Sequence, residues 1–213
     1  LWAVSLMGAA TVGTMATDEA GNLYIAGTQA GEVVLGSTNG NTKTITGLDS
    51  WGEYIENKLA AFVAKYDANG VLVAARELKA ATDEAIATNE GYFGGILGEP
   101  SMVVPSKLVA FGDKVYVSLA TKGDLKFDNV AWEGRYVDFF GMIGDIASMG
   151  IVAFNASDLS NASSELLVAT KELTTETLYG PETLNFDVDA SGVYAGFIGT
   201  GALHMIAASN TTD

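Results

Sequence analysis

The residue types that most often perform catalysis are scarce in this chain. It holds one histidine, His204, so a triad of serine, histidine and carboxylate would have to use that residue. No Gly-x-Ser-x-Gly turn accompanies His204, and a histidine within a strand is the favoured interpretation. Cysteine is absent, which excludes disulfides, thiol nucleophiles and thiolate ligands. A zinc site therefore lacks the His and Cys ligands that zinc requires.

Carboxylates are the abundant reactive groups, with 26 Asp and Glu residues against 11 Lys and Arg residues and a net charge of −15. Two of them at a suitable separation would form the acid and base of a glycosidase, and the alternative is that they are solvated surface charges. The candidates in the long connections are Asp49, Glu53, Glu56, Glu90, Glu99, Glu133, Asp138 and Asp145.

For metals, Ca²⁺ is the cation that the side chains would suit, because its ligands are oxygens. The turn Asp67-Ala68-Asn69-Gly70 could contribute ligands, but no EF-hand loop is present and an aspartate in such a turn usually stabilises the turn itself. The metal ligands are therefore left unassigned. No phosphate-binding glycine loop is found either, so the sequence predicts no organic cofactor.

The acidic balance opposes binding to a nucleic-acid backbone or to an anionic membrane. We therefore predict no nucleic-acid partner. No apolar run is long enough to span a bilayer, so no membrane span is predicted either. The chain begins at Leu1 with a strand-like run and without a targeting sequence. We therefore expect a mature or excised segment whose targeting sequence has been lost. One alternative is that the segment belongs to a larger parent chain.

The elements that must position any site are strands. Phe62–Leu78 contains two apolar, β-favouring runs on either side of the Asp67–Gly70 turn, which is the signature of a hairpin. The chain holds 25 glycines and 3 prolines, a composition that favours short strands and tight turns. This pattern predicts an all-β protein with sheets packed on sheets.

The strand pairs recur along the chain, and internal repeats are strong evidence of architecture. A strand–turn–strand segment occurs three times, with a tyrosine at an equivalent position in each: Tyr24 in Met15–Thr28, Tyr116 in Leu108–Thr121 and Tyr194 in Phe186–Gly199. Phe62–Leu78 has a counterpart in Ile151–Leu173, and a third begins at Leu203. Leu1–Leu6 matches the missing outer strand, so we expect it to complete the last unit and to satisfy its open edge.

Asp18-Glu19-Ala20-Gly21-Asn22-Leu23-Tyr24-Ile25-Ala26-Gly27, followed by Phe62-Val63-Ala64-Lys65-Tyr66-Asp67-Ala68-Asn69-Gly70, resembles the repeats of bacterial SBBP-type β-propeller proteins. The resemblance covers about half of the chain and fades from the first unit to the third. It implies a blade fold and an exported, extracellular or cell-surface bacterial protein, with no shared chemistry to transfer.

The predicted fold is therefore a single propeller-like domain over residues 1–213, built of three four-stranded blades. A β-sandwich is the alternative. Short turns fall at one end of each unit and long insertions at the other: Gln29–Ala60, Lys79–Lys107, Lys122–Gly150 and Thr174–Asn185. Two of these insertions are expected to contain a short extra strand, at Glu32–Leu35 and at Leu125–Phe127. Loops on a rigid scaffold are where binding residues concentrate, so the insertion face is the predicted site.

Aromatic residues mark that face, and the predicted ligand-binding residues are Trp51, Tyr54, Tyr92, Trp132 and Tyr136. One interpretation is that they close the loops over the core. The other is an aromatic platform for a sugar or a partner chain. Since no triad, metal set or cofactor motif is found, the favoured hypothesis is a non-catalytic binding or assembly module that holds a protein or glycan, or forms a homo-oligomer. The alternative is a carbohydrate-active hydrolase with an acidic cleft.

Overall fold

The computed structural model describes residues 1–46, 60–78, 102–122, 125–127, 130–132, 135–139, 142–146, 148–160, 168–169, 183–199 and 202–209. The regular structure in these ranges is β-strand throughout, with antiparallel pairing and without a helix. The all-β prediction is thus confirmed. None of the described sheets closes on itself into a barrel. Nothing helical in the described part of the chain has the length and apolar character that a membrane crossing needs.

The first sheet follows the order β1-β2-β4-β5, and a further strand, β3, pairs with the distal part of β2. Aspartates hold its short turns: the Asp18 carboxylate accepts from the amides of Ala20 and Asn22, and that of Asp67 accepts from those of Asn69 and Val71. The strands are β1 (Leu6–Thr17), β2 (Leu23–Gly36), β3 (Thr42–Thr46), β4 (Ala60–Tyr66) and β5 (Leu72–Leu78).

The second sheet has the order β13-β12-β7-β6, in which each strand pairs with the next one of the sheet in chain order. Two separate hairpins, β8–β9 and β10–β11, lie between β7 and β12 in the chain. The strands are β6 (Met102–Phe111), β7 (Lys114–Lys122), β8 (Leu125–Phe127), β9 (Val130–Trp132), β10 (Arg135–Phe139), β11 (Met142–Ile146), β12 (Ser148–Asn155) and β13 (Val168–Ala169).

The third sheet has the order β14-β15-β16, with β14 (Thr183–Asp189), β15 (Gly192–Gly199) and β16 (Ala202–Ser209). We expected Leu1–Leu6 to pair with this sheet, but the structure places that segment beside the first one. Leu6 pairs with Leu35 of β2, and the Gly36 amide donates to the Ser5 carbonyl at 2.9 Å. The N-terminal segment therefore packs on the first sheet, which directly follows it in the chain, and not on the third.

The three sheets stack face to face in chain order. The face of the first sheet that carries Tyr24 and Val63 packs on the face of the second that carries Val117 and Phe154. Because side chains alternate along a strand, the other face of the second sheet presents a different set, which packs on the third sheet: Tyr116, Met149, Ile151 and Ala153 against Phe186, Val188, Val193 and Ala195.

The remaining face of the first sheet is covered by its own chain. Gln29 pairs with Ala60 at one end of β4, whereas the Thr38 amide donates to Gly70 beyond the opposite end, so β2 doubles back over the sheet. A register shift between Gly8 and Ala9 in the pairing with β1, together with a positive φ of 66° at Gly31, accommodates the bend. The result is a local two-layer sandwich in which the folded-back part of β2, β3 and the N-terminal segment bury Val33, Leu35 and Ile45, with Trp2, Val4 and Leu6 packed alongside.

Candidate functional site

The predicted platform residues fall partly within the described ranges. Trp51, Tyr54 and Tyr92 lie outside them. Trp132 ends β9 and pairs with Leu125 of β8, and Tyr136 lies in β10, paired with Asp145 of β11. The backbone therefore places Trp132 and Tyr136 in two consecutive hairpins inserted between β7 and β12, in the predicted insertion. The expected strand at Leu125–Phe127 is present as β8.

The register of the β10–β11 hairpin brings residues of complementary chemistry to one face. Tyr136 pairs with Asp145, and Asp138 pairs with Ile143. Paired residues of antiparallel strands share a face, as do residues two apart on one strand, so Tyr136, Asp138 and Asp145 occupy positions on the same face. Cβ atoms of diagonal neighbours such as Asp138 and Asp145 lie about 7–8 Å apart or somewhat less. One aromatic and two carboxylate positions are thus juxtaposed.

The Asp18 turn, Tyr24 and Lys65 form a polar joint between the first two sheets. The Tyr24 hydroxyl donates to Asp18 Oδ2 at 3.0 Å and approaches the Ala156 carbonyl of the second sheet at 3.2 Å. Lys65 Nζ donates to the same carbonyl at 2.7 Å and lies 5.7 Å from the centre of the Tyr24 ring. Asn22 donates its side-chain amide to Asp18. These polar residues therefore stabilise the packing of neighbouring sheets rather than forming a separate reactive centre.

The second joint uses a lysine in a related way. Lys107 Nζ donates to Asn185 Oδ1 at 2.9 Å and to the Phe186 carbonyl, and it lies 5.5 Å from the centre of the Phe186 ring. Lys107 belongs to β6, whereas Asn185 and Phe186 belong to β14, so a cation again links consecutive sheets.

The hydrogen bonds to Asp18 make the free energy of unfolding depend on pH in the acid range. Burial raises the pKa of the Asp18 carboxyl, but hydrogen bonds from Asn22, Tyr24 and Ala20 together lower it below its ordinary value of 3.8. For Tyr24, burial first and then the hydrogen bond to Asp18 raise the pKa above 10.0. A carboxyl with a lowered pKa stabilises the fold fully above its unfolded pKa and loses that contribution as pH falls through the folded pKa.

We therefore expect the wild type to be more stable than an Asp18→Asn variant at neutral pH, and the difference to shrink as pH falls below about 4. Urea unfolding of both proteins at a series of pH values measures this difference. A gap that stays constant down to the lowest pH would contradict the assigned role of the carboxylate.

The groups suited to binding metals are dispersed in the described ranges, where no cluster of three or more His, Cys, Asp or Glu residues is found. Asp67, the residue that could have contributed to a Ca²⁺ site, directs Oδ1 at the amides of Asn69 and Val71, both at 2.8 Å. Its carboxylate therefore stabilises the β4–β5 turn, as an aspartate at the start of such a turn commonly does.

An open groove that sequence reasoning missed lies between the N-terminal segment and the β2–β3 turn. It has a volume of about 440 Å³ and is lined by Ala3, Val4, Ser5, Met7, Gly36, Ser37, Gly40, Asn41 and Thr42. The run Ser37–Thr42 is recognisable in the sequence as a turn, but the opposite wall depends on where residues 1–7 pack. Apolar side chains and uncharged hydroxyl and amide groups line the groove together, and no charged residue is among them.

Comparison of the chain with protein-family models, with curated proteins and with solved structures finds no match. The functional assignment therefore rests on the geometry of the chain itself.

Proposed function

We propose that the chain is an exported, non-catalytic binding module that holds a glycan on the insertion side of its second sheet. The observation that carries this proposal is the placement of Tyr136, Asp138 and Asp145 on one face of the β10–β11 hairpin. An aromatic ring stacks on the apolar face of a sugar, and carboxylates accept hydrogen bonds from its hydroxyls. Trp132, at the end of the preceding hairpin, adds a second aromatic group.

The scaffold supports this use of the hairpins. Both follow β7, whose side chains Val115, Val117 and Leu119 are fully buried between sheets. Loops and hairpins positioned by such a rigid core are where binding residues concentrate. The three stacked sheets act as propeller-like blades in this proposal, and the resemblance to SBBP-type repeats supports an extracellular or bacterial cell-surface location. The net charge of −15 agrees with a ligand other than nucleic acid.

Substituting Trp132 or Tyr136 by alanine is expected to weaken glycan binding about tenfold or more, because aromatic anchors supply much of the energy at such sites. A glycan array identifies the ligand for the wild type, and isothermal titration of the variants measures the loss. Phe111→Ala is the matched control, since Phe111 is 40% exposed at the β6–β7 turn, at the other end of the same sheet. Equal affinity of all four proteins would refute the proposal.

The same positions carry a second candidate, a glycoside hydrolase that uses Asp138 and Asp145 as its carboxylate pair. The two functions differ in the product formed. Release of reducing sugar from the bound glycan, abolished by Asp138→Asn and Asp145→Asn while binding persists, would establish the hydrolase. Binding without turnover by the wild type would establish the module.

A further inference from the structure

The three sheets are built alike except at one edge. As far as the chain is described, the first strand of each sheet has a neighbour on one side only: β1 pairs with β2, β6 with β7 and β14 with β15. The third strand along the first two sheets is paired on both sides, since β5 joins β4 and β13 joins β12. Within the described ranges β16, the third strand of the third sheet, pairs with β15 alone. An edge that is covered in two sheets is therefore open in the third.

The open edge offers backbone hydrogen bonds. β16 runs from Ala202 to Ser209 and pairs with β15 over its whole length. Successive residues of a strand direct their N–H and C=O groups to opposite sides, so every second residue of β16 directs them away from β15. At the equivalent place in the first sheet, β4 receives β5 along Ala61–Tyr66. Because β16 has 8 residues and β4 has 7, β16 is long enough to receive a strand of the same length.

The strands on the two covered edges belong to closely similar sequences. β5 has the sequence LVAAREL, residues 72–78, and β13 lies in the run LVATKEL, residues 167–173. Five of the seven positions are identical, and the other two exchange Ala for Thr and Arg for Lys. Agreement of this kind between repeats of one chain indicates that this edge accepts one type of strand. Its pattern is a leucine at each end, Val-Ala after the first leucine, and a basic residue followed by glutamate before the second.

The packing of the sheets gives an added strand a neighbour to pack on. Lys107 of β6 donates to Asn185 of β14, so the first strands of the second and third sheets lie on the same side of the stack. A strand added to β16 would consequently lie on the side of β13. Leu78 of β5 shows the value of such a position, because it is fully buried in the core between the first and second sheets. Burial against a neighbouring sheet thus accounts for the apolar residues of the pattern.

The outer edge of β1 is also unpaired in the described part of the chain, but it is less suited to a further strand. Its counterparts on β6 and β14 are unpaired too, so no described sheet shows a strand in that place. The pairing of β1 with β2 shifts register between Gly8 and Ala9 and again between Val12 and Thr14. Such bulges twist an edge away from a partner strand. The pairing of β16 with β15 continues without a shift, so the regular edge is that of β16.

We propose that the outer edge of β16 is an interaction surface that accepts, as a fourth strand, an extended segment of a partner polypeptide with the pattern of β5. Leu1–Leu6, the segment expected at this edge, is held in the first sheet. β5 and β13 are paired in their own sheets. Each described strand of this type is thus occupied, and the segment comes from a separate chain. Main-chain hydrogen bonds supply the affinity, and the alternating side chains supply the specificity.

A synthetic peptide with the sequence of residues 70–79, GVLVAARELK, blocked at both ends, tests the proposal on the intact chain. We expect saturable binding of the labelled peptide in fluorescence anisotropy, and none by a scrambled peptide of the same composition and charge. Two further peptides carry backbone N-methyl groups, one at even and one at odd positions. Since only one of these sets faces β16, one methylated peptide should bind at least tenfold more weakly and the other like the parent. Absence of binding, or equal affinity of the two methylated peptides, overturns the proposal.

Hydrogen exchange measured by mass spectrometry locates the bound peptide. Saturation with the peptide should slow exchange in Ala202–Ser209 and leave Leu6–Thr17 unchanged, because β1 is the matched edge that is also open in the described ranges. Protection of β1 without protection of β16 would overturn the proposal. Protection of β16 that follows the protein concentration rather than the peptide would mean that a second copy occupies the edge, and it would overturn the proposal as well.

Discussion

Replacing Tyr24 by alanine is expected to lower the free energy of unfolding by about 3–5 kcal/mol, as for other large buried aromatic side chains. Its ring is fully buried between the first two sheets, and its hydroxyl contacts both Asp18 and the Ala156 carbonyl. The variant loses packing on both sheets and leaves the Ala156 carbonyl with Lys65 as its partner from the first sheet. Urea unfolding measures the loss.

The matched control is Tyr194→Ala at the equivalent position of the third unit. Tyr194 is 41% exposed, so its removal should reduce the stability of the monomer by about 1 kcal/mol or less. The comparison is made at a protein concentration low enough to exclude association. Similar losses for the two variants would show that the sheets do not pack as described.

Substituting Gly70 by alanine is expected to have the second large effect, a loss of about 2–5 kcal/mol in the free energy of unfolding. Gly70 has a φ of 78°, a conformation that costs an L-residue about 1–2 kcal/mol. An added Cβ would also lie 2.5 Å from the Trp2 ring and 2.7 Å from Thr38, and overpacking of this kind adds about 1–3 kcal/mol. The N-terminal segment would have to move away from the β4–β5 turn.

Gly40→Ala separates the two contributions. Gly40 has nearly the same φ, 83°, but nothing lies within 4 Å of its added Cβ. It should show the backbone penalty of about 1–2 kcal/mol alone. Urea unfolding curves measure the difference in stability loss between the two variants. Equal losses would mean that Trp2 does not pack closely against the β4–β5 turn.

Local chemistry made the hairpins predictable. Asn69-Gly70 and Asp67 set the β4–β5 turn, and the apolar runs on either side of it form β4 and β5 as expected. The repeated strand pairs around Tyr24, Tyr116 and Tyr194 are present as β1–β2, β6–β7 and β14–β15. These elements depend on residues close in the sequence, whose preferences act before tertiary packing does.

The path of the first unit was not predictable in the same way. Glu32–Leu35 reads as a separate strand, but it is the continuation of β2 across a bend at Gly31. The bend depends on a mismatch in pairing with β1, which the sequence of one strand alone does not reveal. Leu1–Leu6 resembles the outer strands of other units, yet packing of the half-buried Trp2 ring against Tyr66 favours a position over the first sheet.

For the candidate site too, the sequence indicated the residue types but not how strand pairing arranges them. Aromatic and acidic residues in the insertion between β7 and β12 were recognisable from their types, and two of the predicted positions, Trp132 and Tyr136, fall in described hairpins. That Tyr136, Asp138 and Asp145 share a face depends on strand register. A one-residue shift would have moved one strand's residues to the other face.

The doubled-back β2 also bears on the order in which the chain acquires structure during synthesis. One broad face of the first sheet is covered by residues that all precede position 79, whereas the second sheet depends on neighbours that come both before and after it. The first unit therefore has the greatest autonomy of the three. It can begin to assemble while later residues are still being added, and it then offers the second sheet a preformed template on which to fold.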